Sequence, residues 1–184
     1  MGDDAGPHPD AGPCGTGGLS IDLSIGLGFD AGAADGGWLP DEPFVARFAD
    51  PALRAGTGAV RWHRELSVRL VGEREGAGLN REYRGVDRPT NVLSFPSGLP
   101  VLDGVALLGD LVFCPAVIAR EARDQAKRLQ DHWAHLIVHG TLHLLGHDHR
   151  DASEANAMEA LEIRLLSATG IADPYRGTAD DPDE

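Results

Sequence analysis

Residues 131–149 read DHWAHLIVHGTLHLLGHDH, and the rest of the chain is best read outward from them. The segment Asp131–Leu145 is predicted as a helix. His139 and His143 stand four residues apart, so on a helix their imidazoles project from one face, one above the other, close enough to ligate a single ion. Gly146 can adopt positive φ and end the helix, which lets the chain turn back and present His149 as a third nitrogen. His147 competes for that third role, and His149 is preferred. His135 extends the same stripe by one turn as an orienting or packing residue, and His132 is read as solvated. Three histidines suit zinc, and nickel or copper would also accept them. They leave a fourth position for water, the layout of a catalytic rather than a closed structural site.

Toward the N-terminus of this segment, Ala116–Leu129 has helical spacing, with Pro115 where a helix would start. Beyond it, Ser153–Ala168 forms a third helix, with Ser153 as N-cap and Gly170 as stop. Earlier in the chain, apolar residues alternate from Ile21 to Phe29, the period of a strand with one buried face. Asp41 precedes an amphipathic helix containing Phe44, Val45 and Phe48, whose end Pro51 disturbs. Leu66, Val68, Leu70 and Val71 suggest a second strand. The glycine-containing segment 72–78 then leads to an arginine-rich stretch, Leu79–Arg88. A short strand spans Asn91–Phe95, and Val105–Phe113 is an apolar run interrupted by Gly109-Asp110. Strands early and helices late predict an α+β domain, a small mixed β-sheet packed with helices.

The first 19 residues hold glycine and proline but almost no apolar mass, so they are read as a disordered acidic tail. The domain is expected over 20–172, with an acidic tail over 173–184. The net charge of −13 is concentrated at the ends: residues 1–50 contribute −8 and residues 173–184 contribute −4, leaving −1 between them. That middle admits a basic face built from Arg61, Arg64, Arg69, Arg74, Arg81, Arg84 and Arg88, or the same arginines as scattered solvated charges. Cys14 and Cys114 suggest neither a disulfide framework nor a thiolate metal site, and Cys114 reads as a small core residue. No apolar run is long enough for a membrane span and no leader precedes the domain, so a cytoplasmic location is expected.

The histidine spacing matches the extended zincin signature of metallopeptidases, with one departure. Those enzymes place a glutamate base directly after the first histidine, where this chain has Gly140. A zinc peptidase is therefore the second reading.

Three ordered blocks, LNREYRGVDRPTNVLSFP at 79–96, LGDLV at 108–112 and HGTLHLLGHDH at 139–149, together resemble the YbeY family of bacterial endoribonucleases, as does Met158–Leu161 with the helix around it. The resemblance spans about residues 20–175. It implies His139, His143 and His149 as ligands of one Zn²⁺, and Arg84 as the arginine that acts in catalysis or RNA handling. It also implies cleavage of single-stranded RNA, in 16S rRNA 3′-end maturation and ribosome quality control, with rRNA and the small ribosomal subunit as partners and neither DNA nor membrane expected. The acidic N-terminal tail and His147, where some members carry tyrosine, depart from the family. Physically, a guanidinium near zinc would grip a phosphate bidentately; otherwise Arg84 is a surface arginine in a loop. Asp110 is a weaker candidate, as an orienting residue, a partner contact or a strand end. A non-catalytic assembly factor with structural zinc is the third reading.

Overall fold

The computed structural model describes residues 18–26, 29, 38–57, 62–147 and 151–176. Among these, β1 (Leu19–Ile25), α1 (Glu42–Thr57), β2 (His63–Leu70), α2 (Glu73–Arg84), β3 (Val92–Pro96), β4 (Val105–Phe113), α3 (Pro115–Asp124), α4 (Leu129–Leu144) and α5 (Ala152–Ser167) follow one another. The strands form one mixed sheet in the order β1-β2-β4-β3. The first three are parallel and β3 runs antiparallel to β4. The architecture is α+β, as the order of patterns predicts.

Alternation along β2 explains its two faces. Leu66, Val68 and Leu70 are buried, while Glu65 and Arg69 are exposed. The apolar face joins α1 and α4 in the main core, where Phe48, Phe113, Trp133, Ile137 and Leu142 meet. Each such fully buried side chain stabilises the fold by about 1.5–3 kcal/mol. On the other face a smaller cluster of Val71, Leu93, Val112, Cys114 and Val117 receives Leu79 of α2 and Phe95 of β3. Cys114 is thus a buried core thiol, and burial raises its pKa.

Several elements depart from their sequence patterns for identifiable reasons. Pro51 lies inside α1 and the helix continues to Thr57, because the buried residues Ala52 and Leu53 hold the turn that follows. Most of the glycine-containing segment 72–78 and the first half of the arginine-rich stretch form one helix, α2, carrying Glu73 and Glu75 in its first turn, Arg81 and Arg84 in its last, and Gly85 at φ 74° as its left-handed cap. Arg84 is therefore a helix terminus rather than a loop residue. Gly109 does not break β4. It sits in a bulge where Glu65 pairs with Leu107 but Leu66 with Gly109, at φ 128°, and a Cβ there would stand 2.1 Å from the Phe95 carbonyl oxygen. The expected helix over 116–129 ends at Asp124, and α4 starts at Leu129. The N-cap of α5 is Asp151, not Ser153: its carboxylate accepts from Ser153 N and Glu154 N at 2.8 and 2.9 Å.

At the termini, Leu19 already pairs in β1. Residues 1–17 and 177–184 lie outside the described residues, but Pro174 is buried and Tyr175 is hydrogen-bonded, so ordered contacts extend past the expected boundary at 172. No described helix is long and apolar enough to cross a membrane.

Candidate metal centre

Helix α4 runs beneath the sheet with Trp133, Ile137 and Leu142 in the core, which turns its His135, His139 and His143 stripe along one flank. Its height is fixed by a strand residue: Ser94 Oγ of β3 donates to the Gly140 carbonyl at 3.2 Å. His139 Nε2 and His143 Nε2 lie 3.1 Å apart, their rings 4.6 Å between centroids and nearly perpendicular. Two imidazole nitrogens at this separation match ligands of one ion, since bonds of 2.0–2.1 Å at a tetrahedral angle put the donors roughly 3.3 Å apart. The expected pairing of these two histidines is thus present. Gly146 follows at φ 87°, the predicted turn, while His149 lies outside the described residues.

Sequence reasoning missed a carboxylate. Glu162, on α5, is fully buried. Its Oε1 lies 2.8 Å from His139 Nδ1, and its Oε2 lies 3.2 Å from His135 Nε2 and accepts the Tyr175 hydroxyl. Burial alone would raise its pKa, but the hydrogen bonds from His135 and His139 outweigh it and hold the group at about 2. Burial dominates at His135 and lowers its pKa, so the ring is neutral and Nε2–H donates. Burial first, and then the adjacent Glu162 charge, push the Tyr175 hydroxyl up, keeping it a proton donor. His135, His139 and Glu162 place three ligand atoms within 4.8 Å of one another, a group that could hold a metal ion.

A parallel arrangement lies one turn earlier. His132 is 4% exposed, not solvated, and its Nε2 meets Glu121 Oε2 at 2.9 Å. Asn91 Nδ2 donates to both Glu121 oxygens, at 3.1 and 3.2 Å. The Nδ1 atoms of His132 and His135 are buried without a hydrogen-bond partner among the described residues.

The remaining candidates belong to other elements. Arg84 is exposed at the end of α2, next to Tyr83, which is 59% exposed and packs edge-on against Phe95 at 4.8 Å. The basic face is partly consumed: Arg64 is buried against Asp50 at 2.6 Å, Arg69 pairs with Glu75 and Arg81 with Asp87. Arg61 lies outside the described residues. Asp110 pairs with Phe95 across the sheet, whereas Ser94 and its partner Leu111 face α4. Asp110 therefore points away from the histidines, into a groove of about 630 Å³ that it shares with Asp22 and Glu65.

Residues 45–170 match the family model described as Endoribonuclease YbeY. Endoribonuclease YbeY of Alkalilimnicola ehrlichii is 54% identical over 142 residues, covering 75% of this chain and 83% of that protein. Endoribonuclease YbeY of Halorhodospira halophila is 50% identical over 141 residues, covering 74% and 88%. The solution structure of TM1509 from Thermotoga maritima aligns with a TM-score of 0.46 at 21% identity, covering 90% of this chain and 99% of that one. With more than half of its length matched and relatives at 50% and 54% identity, the chain belongs to the YbeY family.

Proposed function

We propose that this chain is a single-strand-specific endoribonuclease that works with one zinc ion held by His139, His143 and His149. The observation that carries the reading is the 3.1 Å approach of two Nε2 atoms on one helix face, with the opposite nitrogen of His139 committed to a buried carboxylate. Bound there, zinc would acidify a water and polarise the scissile phosphate.

The residues of the chain divide the remaining work. Glu162 keeps the proton of His139 on Nδ1, so that Nε2 is free of hydrogen. Arg84 is read as the phosphate grip, a guanidinium able to donate two parallel bonds to non-bridging oxygens as negative charge develops. Beside it, the exposed ring of Tyr83 offers a base a stacking surface worth about 1–3 kcal/mol. The relatives are named endoribonucleases, which supports an RNA phosphodiester substrate. We assign the protein to the cytoplasm, with maturation of the 16S rRNA 3′ end on the small ribosomal subunit as its role.

The test compares cleavage of a single-stranded RNA by zinc-loaded protein with that by identically purified His143→Ala and Arg84→Ala. Loss in both variants is expected, by 10²-fold or more. Equal cleavage by all three would overturn the assignment of the centre.

A further inference from the structure

Nothing in the zinc reading requires the C-terminal segment, yet Tyr175 joins His135 and His139 of α4 on one buried carboxylate, that of Glu162. We propose that Glu162 and Tyr175 are positioning residues: Tyr175 and His135 fix the Glu162 carboxylate, and Glu162 fixes the ring plane and tautomer of His139. Metal affinity then depends on the docking of residues 171–176. The inference rests on the zinc assignment above and adds the residues that tune it.

The geometry carries the step from each residue to the next. Asp173 Oδ1 accepts Tyr175 N at 2.9 Å, a local turn that aims the ring inward, while Pro174 is buried and Ile171 packs against the main core. The Tyr175 ring stands edge-on to His135 at 5.3 Å between centroids, and its hydroxyl lies 3.3 Å from His135 Nε2 and on Glu162 Oε2. Both Oε2 donors are thereby spent on one side of the carboxylate, which leaves Oε1 to take the Nδ1–H of His139 at 2.8 Å. A proton held at Nδ1 leaves Nε2 as a lone pair, and that atom is the one 3.1 Å from His143 Nε2. A carboxylate behind a ligand histidine restricts its rotation and raises its basicity, and loss of such a partner typically weakens metal binding 10–100-fold. The rival use of the same group, with His135, His139 and Glu162 themselves ligating the ion, is disfavoured by the 2.8 Å spacing. It is a hydrogen-bond distance, shorter than the roughly 3.3 Å between neighbouring donors on one zinc.

Zinc affinity of the full-length protein, measured by competition with a chromogenic chelator alongside the melting temperature of the zinc-free form, tests the proposal on the wild type, Glu162→Gln, Tyr175→Phe, His135→Ala and His143→Ala. Glu162→Gln presents an amide N–H₂ where the other donors already point, and an affinity loss of 10-fold or more is expected. Tyr175→Phe keeps the ring against His135 and removes only the hydroxyl. It should weaken zinc several-fold and change the visible spectrum of the cobalt-substituted protein, even if Glu162→Gln fails to fold. Unchanged affinity in Tyr175→Phe, whatever its melting temperature, would mean a packing role and overturn the proposal. Loss of binding in His135→Ala but not in His143→Ala would overturn it in favour of the rival ligand set. A wild type that binds zinc no better than His143→Ala would instead sink the zinc assignment itself.

Discussion

Gly140 faces the sheet, and a Cβ built there would stand 2.9 Å from Leu111 Cδ2 and 3.3 Å from Ser94 Oγ. Leu111 is fully buried, so a glutamate base after the first histidine would need a buried acid in place of close packing. The departure from the peptidase signature is thus a packing fact as well as a sequence one. Two turns earlier on α4, His132 makes a structural pair with Glu121 of α3. Burial alone would raise its pKa, but the bonds from His132 and Asn91 bring it below the ordinary carboxylate range. A depressed folded pKa means the stabilisation is complete above the unfolded value of about 4.3 and is lost as pH falls through the folded one. Zinc-free Glu121→Gln should therefore melt below the wild type at pH 6, with the gap closing as pH falls toward 3; a gap constant with pH would contradict it. The spacing of His139 and His143 made their meeting legible from sequence alone. Glu162 and Glu121 were not, because their partners lie 23 and 11 residues away on other helices, and no local pattern couples a carboxylate to a histidine at those separations.

Among the elements, α5 matters because it delivers Glu162, and its start depends on one side chain. Asp151 satisfies two backbone N–H groups of the first turn, and replacing such a cap by alanine destabilises by about 1 kcal/mol. Asp151→Ala should lower the unfolding free energy by that amount, read as a lower urea midpoint with an unchanged m-value; a loss within about 0.3 kcal/mol would mean that α5 is held by packing alone. The strands and α4 could be read ahead of the structure because their burial follows a fixed period, as in β2. Helix α2 could not, since Gly76 and Gly78 mask a helix whose apolar contribution is small. Its signal was in the caps: acids at Glu73 and Glu75, bases at Arg81 and Arg84, and Gly85 just beyond. Likewise the glycine in β4 marked a bulge rather than an end, which only the approach of the Phe95 carbonyl explains.

For the whole molecule, a net charge of −13 opposes a polyanionic substrate, so RNA must be held by local cations rather than by a general field. Of the described arginines of that face, Arg64, Arg69 and Arg81 stand in ion pairs, while Arg84 stands exposed at the end of α2 and is the one to test. Few phosphate contacts imply a shallow salt dependence, because each contact to a single strand contributes about −0.7 to the slope of log K against log salt. Binding of a short single-stranded RNA to zinc-free protein, titrated from 50 to 300 mM salt on the scale where such slopes are read, should give a wild-type slope of about −1 to −3. Arg84→Ala should make it shallower by about 0.7. Arg164→Ala removes an exposed charge on α5 and should leave the slope unchanged. An unaltered slope in Arg84→Ala would remove that residue from the phosphate path, and equal changes in both variants would mean that RNA reads the summed charge of the chain instead of a site on it.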